Sequence, residues 1–343
     1  MPMRETPTSP QTQSADRQNN DHQDSDLLRA VPVLAIDIGG TKLAAALVDA
    51  EGTVLRRAEA RTPTAEPGER SAVAEALIEL AGQVCGEQRP QAVGLASAGP
   101  LDLVAGTASP VNIPSWRGYP LRETVAAAFA GARTVLVGDA VAAAVGEHWR
   151  GAGRQAEAML GIVVSTGVGG GLILEGRAYP GPTGNAGHFG HIPTDLEPVP
   201  CACGMTGCVE ALASGPSMVR WARRQGWRAD GEQGPAGADA RTLAEDARAG
   251  DSVALAAFDR AADALACGIV GAAALVDLDI VVVGGGVAAA GSVLLDPLRA
   301  HLRRRASLDF VQRVRALPGA LGRDAGLIGA AQCARLALAG VGA

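Results

Sequence analysis

The sequence predicts an α/β protein with two lobes, from the alternation of its apolar segments and from its length. Short apolar runs such as Val31 to Asp37 alternate with helical patterns such as Ser71 to Cys85, which is typical of βαβ units. A chain of 343 residues also exceeds what one hydrophobic core usually supports. Because 48% of the residues are hydrophobic and 45 are glycines, we expect globular lobes with many tight turns.

Three glycine-rich turns follow predicted strands. The strand and turn around Ser165 to Gly171 repeat the pattern of the opening segment, so we expect two related halves. For each hairpin taken alone, a simple tight turn is one interpretation. Phosphate binding is the other, because glycine lets backbone N–H groups approach phosphate oxygens closely. The turns are Gly39-Gly40-Thr41-Lys42, Ser165 to Gly171, and Gly284-Gly285-Gly286.

The first turn also carries side chains that favour phosphate binding. Asp37 and Thr41 could serve magnesium and phosphate, which tips the interpretation toward a nucleotide site. No segment has the G-x-x-x-x-G-K-[ST] spacing of a Walker A loop, and none of these turns has the full G-x-G-x-x-G dinucleotide fingerprint. The sequence therefore argues against these two kinds of nucleotide site.

The composition along the chain sets the expected domain boundaries. Residues 1–30 are polar and too poor in apolar side chains to offset ordering entropy, so we expect a disordered tail. Residues 31–140 form the predicted smaller lobe, completed by a C-terminal helix at about 325–343. Residues 141–324 form the predicted larger lobe, in which the polar segment 226–240 reads as a surface loop.

Charge and hydropathy limit the expected partners and location. A formal net charge of -6 gives no electrostatic reason to expect nucleic acid or an anionic membrane as a partner. The sequence shows neither a signal-peptide pattern nor an uninterrupted apolar stretch of membrane-spanning length. We therefore expect a cytoplasmic protein.

Three of the six cysteines crowd into one short segment, Cys201-Ala-Cys203-Gly-Met-Thr-Gly-Cys208. Together with His191 they supply the Cys₃His ligand set of a closed structural zinc site. Free thiols in a loop are the alternative, but Gly204 and Gly207 are placed to let a short knuckle fold around an ion. Such an ion would shape its surroundings and not perform redox or hydrolytic chemistry.

The order of these motifs resembles the ROK family of sugar kinases and repressors. The resemblance rests on Leu34-Ala-Ile-Asp-Ile-Gly-Gly-Thr-Lys-Leu43, Ser165 to Gly171, Gly187-His188-Phe189-Gly190-His191, and the cysteine cluster through Glu210. It covers nearly everything after residue 31. It implies the two-lobed actin-like (ribonuclease H-like) ATPase fold, with ATP, Mg²⁺ and a sugar in the cleft between the lobes.

The resemblance assigns the nucleotide to the glycine turns and the sugar phosphorylation to one acid. Asp139 resembles the family's catalytic aspartate, and a base of this kind accepts the hydroxyl proton. From the residues alone, helix capping is an equal interpretation of Asp139. The residues assigned to the nucleotide are Asp37, Gly39, Gly40, Thr41, Lys42, Thr166, Gly167, Gly169 and Gly285.

The sugar-binding residues implied by the resemblance are Asn112, Asp139, His188, His191 and Glu210. Each has a simpler alternative: Asn112 an ordinary turn residue, His188 a solvated loop histidine, and Glu210 a carboxylate favoured by the dipole of the helix it opens. His191 is expected to bind zinc with one ring nitrogen and the sugar with the other.

His188 carries the implied specificity. Most glucokinases of the family have glutamate at this position, whereas the family's bacterial N-acetylmannosamine kinases share the His-x-Gly-His form found here. The resemblance therefore implies phosphorylation of N-acetylmannosamine, with glucose as the alternative sugar. A neutral imidazole lacks the paired acceptor oxygens of a carboxylate, so it must recognise its partner group differently.

One departure from the family pattern keeps other functions open. Gly138 stands where the family usually has asparagine, which removes one sugar contact and leaves a sugar-binding pseudokinase as an alternative. A repressor is less favoured, because about 30 polar residues before the core cannot build a helix-turn-helix. The family resemblance further implies a homo-oligomer, a dimer or a tetramer.

Overall fold

The computed structural model describes residues 31–64, 69–195, 199–229 and 238–340. The expected tail at 1–30 lies outside these ranges, as does most of the polar loop predicted at 226–240. None of the helices in these ranges combines the length and the apolar character that a bilayer span requires.

Two five-stranded sheets share one strand order. Sheet 1 runs β3-β2-β1-β4-β7 and sheet 2 runs β10-β9-β8-β11-β12. In each sheet three parallel strands are extended by antiparallel ones. The shared strand order agrees with the two related halves that the similar glycine hairpins predicted. The strands are β1 (Val33–Ile38), β2 (Lys42–Val48), β3 (Val54–Arg61), β4 (Ala92–Ser97), β5 (Leu101–Asp102), β6 (Thr107–Ala108), β7 (Arg133–Gly138), β8 (Ala158–Val164), β9 (Val168–Leu174), β10 (Arg177–Ala178), β11 (Ile280–Gly284) and β12 (Arg315–Pro318).

The helices cover the faces of both sheets and also lie between them. Helices α1 and α2 pack on one face of sheet 1, and α3 and α10 lie between the two sheets. The helices are α1 (Ser71–Cys85), α2 (Leu121–Ala128), α3 (Asp139–Arg150), α4 (Val209–Ala213), α5 (Gly215–Arg224), α6 (Ala240–Ala249), α7 (Ser252–Val276), α8 (Ser292–Arg305), α9 (Asp309–Gln312) and α10 (Ala325–Leu338).

The central apolar layer joins the two sheets. Inward side chains of β1, β2 and β8 pack with small residues of α3 and α10, including Ala142 and Ala330. The outer face of sheet 2 is covered by the longer helices α7 and α8 in a separate large core. The fold therefore has α3 and α10 as its innermost helices, each in contact with residues of both halves.

Glycines allow α3 to lie in unusually close contact with its neighbours. A Cβ at Gly329 of α10 would lie 1.6 Å from the carbonyl oxygen of Ala142, and a Cβ at Gly171 of β9 would lie 2.7 Å from the Cα of Val141. Because neither distance can hold a methyl group, α10 and β9 can approach α3 only through glycine. This packing fixes the position of α3 and of its first residue, Asp139.

The second glycine turn is shorter than the sequence predicted. The turn ends at Gly167, and Gly169 to Gly171 are residues of β9. Glycine is needed at these positions because β9 lies in close contact with α3. The run of glycines therefore serves helix packing as well as the turn. Strands β3 and β12 were not predicted, since both lie at or near sheet edges and carry weak apolar patterns.

Candidate active site

Two acids meet at one edge of sheet 1. Asp37 is the fifth residue of β1, and Asp139 follows β7 directly as the first residue of α3. Strands β1 and β7 both run parallel to β4, which lies between them, so their carboxyl ends face the same way. The acids are close enough that the charge of Asp139 raises the pKa of Asp37.

The surroundings of Asp139 suit a proton acceptor. Its Oδ1 accepts a hydrogen bond of 2.7 Å from the backbone N–H of Ala140. Burial among protein atoms raises the pKa of this carboxyl above its ordinary value, while the Ala140 hydrogen bond and the nearby His188 ring lower it. The residue nevertheless keeps an exposed surface, which opens into a cavity.

A cavity open to solvent lies next to Asp139, and the space within it and at its mouth amounts to about 470 Å³. It is bounded by the start of α3, by the start of β9 around Gly169, and by the loop from Gly184 to His191. Among the described residues that line it, Asp139 is the only acid, and the other side chains with polar groups belong to Asn185, His188 and His191. A single carboxylate therefore faces two imidazoles across the space available to a ligand.

The loop fixes which nitrogen of His188 can meet a ligand. Its Nδ1 lies 2.8 Å from the backbone oxygen of Asn185, and because a carbonyl only accepts, Nδ1 must carry the proton. The opposite nitrogen, Nε2, points toward Gly99 on the cavity wall, 3.8 Å from the place a Cβ would take there. In the neutral ring Nε2 is thus an acceptor directed at the cavity.

Asn185 was missed by the sequence analysis. It lines the cavity and supplies the carbonyl that orients His188, while its own Nδ2 donates to the backbone oxygen of Thr183 at 3.0 Å. A polar residue within the glycine-rich segment Gly181 to Gly187 was a usable signal, but its contact with His188 depends on how that loop folds.

The first glycine turn lies beside Asp37. Its Gly39 N–H bonds the Lys42 carbonyl oxygen at 3.0 Å, and a Cβ at Gly40 would lie 2.5 Å from the Cβ of Asn112. The Lys42 ammonium pairs with Glu59 at 2.6 Å. Asn112 therefore borders the turn, and it is not among the residues that line the cavity.

Burial strongly affects the carboxyl of Asp37. Loss of water and the charge of Asp139 raise its pKa to about 6, against the lowering effect of Lys42 and Arg57. Its Oδ2 lies 3.2 Å from the place a Cβ would take at Gly326, near the start of α10. The side chain is thus enclosed between the first turn and α10.

The other two glycine turns lie together at the ends of β8 and β11. A Cβ at Gly285, whose φ is +93°, would lie 2.4 Å from the Val164 carbonyl oxygen. At the β8–β9 turn, Glu210 Oε2 accepts a 2.9 Å hydrogen bond from the backbone N–H of Val168. This carboxylate also occupies the space where Gly167 would carry a Cβ. Glu210 therefore supports the turn at Thr166 and Gly167 by contacts with the backbone of that turn.

The predicted metal ligands come together in space. The ligand atoms of His191, Cys201, Cys203 and Cys208 all lie within 4.8 Å of one another. Two pairs are 3.8 Å apart: Cys203 Sγ with Cys208 Sγ, and Cys201 Sγ with His191 Nδ1. A tetrahedral zinc ion with bonds of about 2.3 Å to sulfur has edges of about 3.8 Å, so the cluster fits such an ion.

The knuckle around this cluster uses glycine where the sequence predicted it. Gly204 has φ +93° and Gly207 has φ +71°, conformations that other residues rarely adopt. Because Nδ1 of His191 faces the sulfurs, its Nε2 is the nitrogen left to face the cavity that His191 also lines. The geometry is thus compatible with the two expected tasks of His191.

Gly138 is not required by the backbone. Its φ of -64° and ψ of 142° are ordinary extended values, and a Cβ there would meet only Val141, at 3.6 Å. The residue lines the cavity beside Asp139. Its missing side chain therefore enlarges the ligand space without serving the fold.

Comparison with known proteins identifies the family. The model of the ROK family matches residues 33–336, which is most of the chain. The chain belongs to the ROK family. It is 39% identical over 303 residues to an N-acetylmannosamine kinase of Escherichia coli, covering 88% of this chain and 98% of that protein. It is 33% identical over 311 residues to a glucokinase of Thermotoga maritima, covering 87% of this chain and 96% of that protein.

A solved ROK structure agrees with the fold. The ROK family glucokinase of Streptomyces griseus, determined in complex with glucose and AMPPNP, superposes with a TM-score of 0.75 at 34% identity, covering 89% of this chain and 99% of that one. ROK sugar kinases have the actin-like ATPase fold, and this ROK chain has it too. The fold predicted from the motifs is confirmed.

Removing one ligand of the Cys₃His cluster should remove the metal. We expect the purified protein to contain about one zinc ion per chain, and Cys208→Ala to lose it and to unfold at a lower temperature. Cys85→Ala, on α1, is the matched control and should keep the ion. Metal content by atomic emission, together with thermal unfolding, checks this; equal zinc in both variants would contradict a Cys₃His site.

The raised pKa of Asp37 predicts how stability changes with pH. Between pH 4 and 6 the folded state keeps a proton that the unfolded chain has released, so this carboxyl lowers stability as the pH rises. We expect Asp37→Asn to gain about 1–3 kcal/mol of unfolding free energy relative to wild type at pH 8. The gain should shrink as the pH falls from 6 to 4. Urea unfolding without nucleotide tests this, and a difference independent of pH would argue against it.

Proposed function

We propose that this chain transfers the γ-phosphoryl group of ATP to the C6 hydroxyl of N-acetylmannosamine. The broader activity follows from the family and the relatives: the chain is an ATP-dependent sugar kinase. The observation that carries the finer proposal is a cavity in which Asp139 faces His188, with His188 presenting one acceptor nitrogen.

Asp139 acts as the general base in the proposed reaction. Its carboxylate takes the proton of the sugar hydroxyl while the hydroxyl oxygen forms a bond to the γ-phosphorus of ATP. The bond between that phosphorus and the bridging oxygen breaks, and ADP leaves with the electron pair. The raised pKa of Asp139 makes the carboxylate a better proton acceptor than an ordinary aspartate.

The glycine turns supply backbone donors for the nucleotide in this proposal. The turn at Gly39, Gly40 and Thr41 and the paired turns at the ends of β8 and β11 contribute N–H groups to the phosphates. Asp37 holds the Mg²⁺ that accompanies ATP, which would neutralise phosphate charge. Lys42, Thr166, Gly167, Gly169 and Gly285 complete the proposed nucleotide site.

The sugar lies on the opposite wall of the proposed site. His188 and His191 line the cavity on this side. Asn112, beside the first turn, and Glu210, on α4, complete the proposed sugar site, although neither lines the cavity next to Asp139. His191, Cys201, Cys203 and Cys208 would hold a zinc ion in a structural role, which would fix the orientation of His191 and of the start of α4 beside the cavity.

The choice of N-acetylmannosamine rests on His188. Nε2 of the neutral ring accepts one hydrogen bond, which suits a single donor such as an acetamido N–H or one hydroxyl. The space left by Gly138 gives a bulkier sugar more room beside Asp139. Identity to the Escherichia coli N-acetylmannosamine kinase, 39%, also exceeds the 33% to the Thermotoga maritima glucokinase.

Glucose phosphorylation is the second candidate. It is supported by the glucokinase relatives and by the solved glucokinase complex with glucose and AMPPNP. Phosphoryl transfer to a sugar is common to both candidates, so only the sugar distinguishes them. A pseudokinase without turnover is the remaining alternative that Gly138 raises.

The wider setting of the enzyme is part of the same proposal. The enzyme is cytoplasmic and homo-oligomeric, a dimer or a tetramer, and has no nucleic acid or membrane partner. Its smaller lobe comprises residues 31–140 together with α10, and its larger lobe comprises residues 141–324. The packing of α10 on β1 and β4 supports this division.

A coupled assay with ATP and Mg²⁺ tests the substrate. We expect kcat/KM for N-acetylmannosamine to exceed the values for glucose and N-acetylglucosamine by at least about tenfold, because the site favours the sugar that pairs with the acceptor Nε2 of His188 over sugars that leave it unpaired once they cover it. Higher kcat/KM for glucose would replace the assignment with glucokinase. Absence of product with every sugar would favour the pseudokinase.

A further inference from the structure

Glu147 is a buried acid near the end of α3 whose carboxylate is held by backbone groups. Its residue surface is 5% exposed. Oε2 accepts hydrogen bonds from the N–H groups of Ala152 at 2.9 Å and Ala320 at 3.0 Å, and Oε1 accepts one from Leu321 at 2.9 Å. Three backbone donors stabilise a buried carboxylate strongly, so this arrangement is a built feature of the fold.

The donors belong to the two segments in which the chain passes between the sheets. In the described residues, the strands of sheet 1 end at Gly138, and those of sheet 2 lie between Ala158 and Pro318. The chain leaves sheet 1 through α3 and the loop that contains Ala152. It returns from β12 to α10, which packs on sheet 1, through the loop that contains Ala320.

Each of these loops has a glycine against the carboxylate. A Cβ at Gly151 would lie 1.9 Å from Glu147 Oε2, and a Cβ at Gly319 would lie 2.9 Å from Oε1. A side chain at either position would collide with Glu147 or displace it. The two segments that pass between the sheets, the crossings, thus both pack closely against the side chain of Glu147.

The same side chain is connected to both acids of the active site. Glu147 lies on the helix that begins with Asp139, so a shift of its C-terminal end would move the base. The loop held at Ala320 and Leu321 leads to Gly326, which lies against Asp37. Helix α3 also contacts Gly169 and Gly171 of β9 on the other sheet.

We propose that Glu147 is a positioning residue that joins the two crossings and sets the separation between the acids of sheet 1 and the glycine turns of sheet 2. It touches neither sugar nor nucleotide. Phosphoryl transfer depends on alignment of the base, the hydroxyl and the γ-phosphorus, and small displacements lower the rate greatly. The inference rests on the sugar kinase activity and not on which sugar is used.

Glu147→Gln tests the proposal. The amide has one acceptor oxygen, and its NH₂ faces a backbone N–H, so at least one of the three hydrogen bonds is lost. We expect kcat to fall by about tenfold to hundredfold while both KM values change by less than about threefold. Amide hydrogen exchange should become faster in both loops, at 151–157 and at 319–324.

Asp279→Asn is the matched control for loss of a hydrogen bond between a part-buried carboxylate and a backbone N–H. Asp279 Oδ2 accepts a 3.0 Å hydrogen bond from the backbone N–H of Ala158, within sheet 2 alone. We expect this variant to lower stability without the loss in kcat and without faster exchange at 319–324. The proposal is overturned if folded Glu147→Gln keeps wild-type kcat, or if exchange rises in one loop only.

A glycine pair covers the case in which Glu147→Gln does not fold. Gly319→Ala places a methyl group against Oε1 and should lower kcat in the same direction, whereas Gly82→Ala, on α1 with nothing within 4 Å of the added Cβ, should not. Equal kcat in these two variants would contradict the proposal. If the wild type phosphorylated none of the sugars, the proposed function would fail, and exchange in the two loops would still decide this inference.

Discussion

The close contact of α3 with α10 and β9 is the constraint on which the active site depends. It exists because glycines stand where larger side chains would collide, as at Gly329 against Ala142 and at Gly171 against Val141. Interiors packed this densely shift little, so the first residue of α3 has one position. That residue is Asp139, and the contact therefore determines where the carboxylate proposed as the general base lies.

The cysteine cluster fixes the wall of the cavity that lies opposite Asp139. His191, one of its four ligands, also lines the cavity. Cys208 directly precedes α4, whose Glu210 accepts the Val168 N–H and so supports the β8–β9 turn. An ion bound by the cluster would thus stabilise together the cavity wall proposed for the sugar and one of the turns proposed for the nucleotide.

The sequence predicted the features that are encoded locally. The glycine hairpins, the Cys₃His set and an acid at a strand end each occur within a few residues, and the described structure contains all of them. The strand character of Gly169 to Gly171, the orienting role of Asn185 and the contacts of Glu147 were not predicted. Each depends on residues that are brought together only by folding: α3 against β9, the loop before His188, and two crossings about 170 residues apart.

The raised pKa values of Asp37 and Asp139 follow from the same packing. Loss of water raises the pKa of both carboxyls, although Asp139 keeps a surface open to the cavity, and the charge of Asp139 adds to the effect on Asp37. Their proximity is consistent with a site that receives a cation and a reacting hydroxyl.

Turnover and sugar binding by Asp139→Asn test the role of this carboxylate most directly. Asp49→Asn, in the turn that directly follows β2, is the comparison variant. We expect Asp139→Asn to lower kcat by about 10²–10⁴-fold with sugar affinity, measured by calorimetry, nearly unchanged, and we expect Asp49→Asn to keep the wild-type kcat. Unchanged turnover in Asp139→Asn would contradict this role, because the cavity would then have lost the one acid among its described lining residues without effect.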